Sequence, residues 1–369
     1  MKERPARSDV KWGRGLPALD TFLGCLLGGA MGDALGYPVE FEKGAEILRR
    51  IGATAPAKLN YDGLEVARVS DDTQMTLFTA EGVIRAVQRW TERGICHPPT
   101  IVAFALLRWY ETQGGRPSSN TSRPGWLITE MRLHKQRAPG TTCMTALRQL
   151  RETGLPTVDA PPNDSKGCGA VMRVAPCGLA AGTREQAFEL ARDSGVLTHG
   201  HPSGYLSAAY FASLIWDLGR GTELPDAMVH ADDLLDSQKG KGELVRIIAK
   251  TRVLTEHGPP DMKTIEALGE GWTGEEALAI ALLCALTFDK KSSNAVENTL
   301  WRAAAHSGDS DSTAAITGNL LGTMLGARAL PKNWLATLEV SDVVERIATD
   351  LHRCAILGET LDFDAYPPN

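Results

Sequence analysis

Two segments far apart in the chain carry the same glycine stripe, and this constrains the fold more than any other feature. Gly24, Gly28, Gly32 and Gly36 mark the first; Gly318, Gly322 and Gly326 mark the second. A four-residue spacing puts these glycines on one face of a helix. Glycine in a helix interior costs about 0.5–1 kcal/mol relative to alanine, so each stripe needs an offsetting gain. Close approach of another helix supplies it, and the two stripes are expected to pack against each other in a soluble core. Membrane helix pairs use a similar pattern, but neither segment reads as an uninterrupted apolar run long enough to span a bilayer.

The second stripe follows directly on an acidic turn, with Asp309, Asp311, Ser312 and Thr313 inside five residues. Read alone, Ser310 or Asp311 is a sufficient N-cap for the helix behind it. The chain builds the same object a second time at Ser70-Asp71-Asp72-Thr73, ahead of the amphipathic stretch 74–87. Each turn holds more carboxylates than a cap requires, and adjacent aspartates repel unless a cation lies between them. Hard cations such as magnesium take several oxygen ligands at short distance. The two turns therefore read as two halves of one metal site. Glu40, between Val39 and Phe41 just past the first striped helix, is a further carboxylate placed to point inward.

Alanine- and leucine-rich periodic stretches dominate the 369 residues, and aromatic content is only 6%. That argues an all-α fold. A net charge of −6 is not the footprint of a nucleic-acid binder. The seven cysteines are scattered, odd in number and form no Cys-x-x-Cys pair. They read as reduced thiols of a cytoplasmic protein, with neither a disulfide frame nor a structural zinc site. Residues 1–14 carry five basic and two acidic side chains, so 1–18 read as a flexible basic arm and 19–360 as one domain. The first ten residues lack the apolar core of a signal peptide.

Further helices are expected over 100–112 and 142–152, as a pair within 184–218, over 225–257 as polar amphipathic helix, over 275–287 as a buried core helix, and over 332–357. Loops are expected at 113–126 and 156–165. Gly167 and Gly169, on either side of Cys168, let backbone amides approach a ligand. His199 and His201 are two apart and share no helix face, which argues against a zinc pair; one of them is expected to face a cleft.

Taken in order, these motifs resemble the ADP-ribosylglycohydrolase (DraG-like) superfamily. The matching stretches are Gly28–Gly36 with Glu40, Ser70–Met75, Gly167–Arg173, Thr198–Pro202, Gly271-Trp272 with Glu276-Ala277-Leu278, and Gly308–Ser312, together covering roughly residues 20–330. The resemblance implies a single compact orthogonal helical bundle with two magnesium ions in a cleft. It implies hydrolysis at C1 of the distal ribose of an ADP-ribosylated side chain, with arginine the leading acceptor. By position, the metal ligands would be Ser70, Asp71, Asp72, Asp309, Asp311 and Ser312. Gly167, Cys168, Gly169 and Met172 would face the pyrophosphate and ribose, and His199 or His201 would contact substrate. Cys168 stands where many members have asparagine. Breaking a glycosidic bond needs a carboxylate as acid or base, for which Asp71, Asp72 and Glu40 are available. Some members resemble bacterial immunity proteins, which makes a binding protein the alternative: residues 1–20 would dock on an ADP-ribosyltransferase toxin. A magnesium phosphohydrolase is disfavoured because no Arg/Lys cluster accompanies the acids.

Overall fold

The computed structural model describes residues 16–117 and 123–368. The proposed arm, residues 1–18, falls almost wholly outside them. Among the described residues the chain runs α1 (Leu19–Gly36), α2 (Gly44–Arg50), α3 (Asp71–Arg93), α4 (Pro98–Thr112), α5 (Thr141–Thr153), α6 (Ala175–Ala180), α7 (Arg184–Gly195), α8 (Pro202–Leu218), α9 (Leu224–Asp236), α10 (Gly242–Thr255), α11 (Met262–Glu266), α12 (Gly274–Leu286), α13 (Ala295–Ala304), α14 (Ser310–Leu325), α15 (Lys332–Leu335) and α16 (Ser341–Ala355). No β-strand forms among these residues; isolated bridges tie Ala67 to Leu338 and Gly167 to Thr273.

The two glycine stripes do face each other, and α1 and α14 are the most intimately packed pair of helices. A Cβ added at Gly28 would lie 2.3 Å from the Gly318 carbonyl oxygen, and one at Gly32 would lie 2.0 Å from that of Ala314. Any larger residue would drive the backbones apart. By length and composition the segment Leu19–Val39 is apolar enough to cross a membrane, more so than its glycine and aspartate interruptions imply. Here that apolarity has another use, because 83% of its most apolar 18-residue window is buried inside the fold.

Around this pair lie α16, whose Val343, Ile347 and Leu351 face inward, and α12, apolar and buried on nearly every side. The stretch 225–257 is two helices, not one. The chain turns between α9 and α10, where Gly240 adopts φ +75° against the Pro202 ring. The α3–α4 pair is pinned by a fully buried ion cluster in which Glu81 accepts from Arg85 Nη2 at 2.6 Å and from Arg108 Nη2 at 2.9 Å.

Candidate functional site

The tight α1–α14 crossing has a chemical consequence. Gly36, the last residue of α1, abuts Ser310 and Asp311, so that a Cβ there would lie 2.2 Å from the Ser310 carbonyl oxygen. The C-terminal end of α1 is thus pressed against the acidic start of α14. The same helix supplies Asp33, the one charge in its interior and fully buried. Its carboxylate accepts from the Ser70 amide at 2.9 Å and the Thr73 amide at 3.0 Å, and also from the Thr73 hydroxyl. Asp33 therefore holds the first turn of α3 in place, which brings Asp71 and Asp72 to the start of α14.

The result is an open cleft of about 250 Å³ whose wall includes Glu40, Asp71, Asp72, Asp309, Asp311 and Ser312. Ligand oxygens of Glu40, Asp309 and Asp311 lie within 4.8 Å of one another. Capping and site-building coexist here. Asp309, not Ser310 or Asp311, is the N-cap of α14, with Oδ1 accepting weakly from the Ser312 amide at 3.3 Å. Ser70 caps α3 by accepting from the Asp72 amide at 3.2 Å, and its hydroxyl also bonds Asp311. Ser70 is fully buried and supports the acidic floor without lining the cleft.

The second wall is made by residues 166–172. Cys168 N–H donates to the Trp272 carbonyl at 3.1 Å, and Gly274 N–H to that of Lys166 at 2.8 Å. Gly167, Cys168, Gly169 and Met172 all line the cleft. Gly169 is required by space: a Cβ would lie 2.8 Å from both Cys143 Sγ and the His199 ring. Arg173, fully buried, fastens this loop by donating to the Gly169 and Ser194 carbonyls and to the Thr198 hydroxyl. His199 lines the cleft beside Gly167, its Nδ1 2.9 Å from the Thr198 hydroxyl. Burial and the neighbouring Arg173 push its pKa down to about 3, so the imidazole is neutral at physiological pH. His201 does not reach the cleft. It is the N-cap of α8, where its Nδ1 accepts from the Ser203 amide at 3.1 Å. Pro202 starts α8 immediately behind it, which turns His201 into a capping residue.

At the rim, Trp272 stacks on the exposed Phe41 with ring centroids 5.5 Å apart. Phe41 (φ +71°) and the cleft-lining Ala138 (φ +53°) are non-glycine residues in left-handed conformations, a strain that the surrounding structure must hold.

The electrostatics of the cluster are those of a cation site. Among the described residues no Lys, Arg or His forms a salt bridge to Asp33, Glu40, Asp71, Asp72, Asp309 or Asp311. Asp72 Oδ2 and Glu40 Oε2 are buried with no hydrogen-bond partner. Burial first, and then the neighbouring carboxylates, push Glu40 up to about 10 and Asp33 up to about 7, and raise Asp71, Asp72 and Asp311 well above the usual range. Burying charged carboxylates without compensation is costly. A divalent cation among these oxygens removes both the orphaned acceptors and the mutual repulsion, and an all-oxygen donor set suits a hard ion.

An all-α protein whose two glycine-locked helices end in a carboxylate cleft able to hold a cation is the class that this fold and site define. The profile of the ADP-ribosylglycohydrolase family matches residues 16–359, and the chain belongs to that family, which removes ADP-ribose from modified substrates. It is 26% identical over 346 residues to the ADP-ribosyl-[dinitrogen reductase] glycohydrolase of Rhodospirillum rubrum, covering 89% of this chain and 92% of the relative. It is 23% identical over 378 residues to ADP-ribosylhydrolase ARH3 of Homo sapiens, covering 91% and 94%. A solved ADP-ribosylglycohydrolase-related protein complex has the same fold, with a TM-score of 0.61 at 24% identity over 92% of this chain and 99% of its own. The orthogonal helical bundle expected from the sequence is the fold observed.

Sequence reasoning assigned no role to Asp33, although a carboxylate in the interior of a largely apolar glycine helix was the available signal. Nor did it find Arg173, which looked like part of a loop motif and is the residue that holds the second wall.

Proposed function

We propose that the protein is a magnesium-dependent hydrolase that releases ADP-ribose from ADP-ribosylated protein side chains, with arginine the preferred acceptor. The observation that carries this reading is the set of buried, unneutralised carboxylate oxygens at one end of the α1–α14 crossing, where Asp72 Oδ2 and Glu40 Oε2 lack any partner. Asp71, Asp72, Asp309, Asp311 and Ser312 would hold magnesium, with two ions as the working stoichiometry and Ser70 supporting from beneath. Bound there, such ions supply Lewis-acid anchoring of vicinal ribose hydroxyls and a positioned water.

The chain's own residues do the rest. The Gly167–Gly169 backbone and Met172 form a close-approach surface for the ribose and pyrophosphate. Neutral His199 offers a hydrogen bond rather than a charge. Glu40 stands at the edge of the cluster and is held protonated by burial and by Asp311 when no cation is near. A bound cation lifts that effect, so the proton for the leaving group is assigned to the coupled set of Glu40, Asp71 and Asp72 rather than to one of them, and the same carboxylates orient the water.

Arginine is kept as the leading acceptor on the motif resemblance alone, and the likeness to ARH3 makes other linkages the competing outcome. The discriminating experiment measures ADP-ribose release from arginine-linked, serine-linked and O-acetyl substrates in parallel. Faster release from arginine supports the proposal; faster release from another linkage replaces the acceptor assignment. Inertness toward all three would favour the alternative, a toxin-binding protein acting through residues 1–20.

A further inference from the structure

Three sulfur atoms share the carboxylate cleft: the thiols of Cys143 and Cys168 and the thioether of Met172. Two of them lie against the candidate metal ligands. Cys168 Sγ lies 2.7 Å from Asp309 Oδ2 and 3.6 Å from Ser312 Oγ, while Met172 Sδ lies 3.9 Å from the same hydroxyl. The other five cysteines are buried in the core and line no part of this cleft. The cleft also contains a side chain that lacks a partner. Asp72 is 3% exposed, lines the same wall, and its Oδ2 has no hydrogen-bond partner.

We propose that Cys168 is a thiolate ligand for a thiophilic divalent cation of the Zn²⁺ or Cd²⁺ class, held jointly with Asp309 at the sulfur-lined edge of the cleft, where it competes with magnesium. The argument is one of donor type. Magnesium and calcium take oxygen donors, and a sulfur contributes nothing to them. Zinc and softer ions bind thiolate strongly, and a single sulfur in an oxygen set shifts selectivity toward them. Ligand atoms of one tetrahedral zinc, at ~2.3 Å for sulfur and ~2.0 Å for oxygen, lie roughly 3.5 Å apart. Cys168 Sγ and Asp309 Oδ2 must therefore separate from 2.7 Å by about 1 Å, which rotation of the cysteine side chain can provide. On binding, a metal–sulfur bond forms, the S–H bond breaks, and the proton leaves to solvent; no electron is transferred. The proposal rests on the cluster being a metal centre and not on the identity of the substrate.

The test uses the full-length, metal-free protein. Cadmium is titrated while the ultraviolet thiolate-to-metal charge-transfer band is followed, and Zn²⁺ and Mg²⁺ binding are measured by calorimetry. The wild type is expected to develop the band and saturate. Cys168→Ser should abolish it and weaken Zn²⁺ at least about tenfold, leaving Mg²⁺ affinity within roughly threefold, because serine keeps an oxygen near Asp309. Cys168→Ala should abolish the band as well, and Cys143→Ser should keep it. Retained Mg²⁺ binding and cooperative melting show that each variant is folded. A band that survives Cys168→Ser, one lost only in Cys143→Ser, or none in the wild type overturns the proposal. Failure of Mg²⁺ itself to bind the wild type would instead overturn the metal-centre reading beneath it.

Discussion

Replacing Gly36 by alanine separates packing from function. The residue has φ −82° and ψ −34°, so alanine fits the backbone, and by propensity alone the change should gain about 0.5–1 kcal/mol. Its Cβ, however, would sit 2.2 Å from the Ser310 carbonyl oxygen, 2.4 Å from its carbon and 2.5 Å from the Asp311 amide nitrogen. Ordinary contact begins at 3.4 Å, so the start of α14 must retreat by about 1 Å. Overpacking of this kind costs about 1–3 kcal/mol, leaving a net loss of roughly 1–2 kcal/mol. The retreat falls on Asp309 and Asp311, and metal ligands tolerate displacements of only about 0.2 Å. Magnesium affinity should therefore drop at least about tenfold, equivalent to ~1.4 kcal/mol. Gly24→Ala is the matched control. Its Cβ would meet the Gly322 carbonyl oxygen at the same 2.2 Å, but about 18 Å from Gly36 along the helix. It should cost similar stability and leave magnesium affinity within about threefold. Urea unfolding and calorimetric titration read the two quantities separately. Gly36→Ala with wild-type stability and affinity would refute the reasoning, as would Gly24→Ala weakening metal equally.

Two more predictions concern charge. Because Asp33, Glu40, Asp71, Asp72 and Asp311 are raised in the metal-free fold, it holds more protons than the unfolded chain above about pH 4. Their contribution to stability is greatest below that point and declines as pH rises toward Glu40's value of about 10, by ~1.4 kcal/mol per pH unit for each extra proton. The rise in melting temperature on adding magnesium should consequently be larger at pH 8 than at pH 5.5; the reverse order would contradict the assigned shifts. Glu81→Ala should destabilise by about 3–5 kcal/mol in urea unfolding, since it leaves Arg85 and Arg108 buried without their shared carboxylate; a loss under 1 kcal/mol would show the cluster to be relaxed by other partners.

The glycine stripes and the two acidic turns were legible because each violates a local expectation. Glycine weakens helices, and paired aspartates exceed what a cap needs. Both anomalies turn out to belong to one arrangement, as Gly36 lies against Ser310 and Asp33 grips Ser70 and Thr73. Features that obey local rules stayed hidden. Glu81 and Arg85, four apart, look like a solvated helix pair and are buried with Arg108. His201 looks as apt as His199 to face the cleft and is spent on capping α8. The break between α9 and α10 falls where Gly240 turns with φ +75°, a local glycine signal that the reading of 225–257 as amphipathic helix passed over.

The most direct test of the metal-centre account is release of ADP-ribose from an arginine-ADP-ribosylated protein, measured with magnesium and with chelator, for wild type and Asp309→Ala. The account predicts release by the wild type with magnesium only, and a loss of at least about a hundredfold in Asp309→Ala. Release that persists in chelator, or an Asp309→Ala variant as active as wild type, would contradict it.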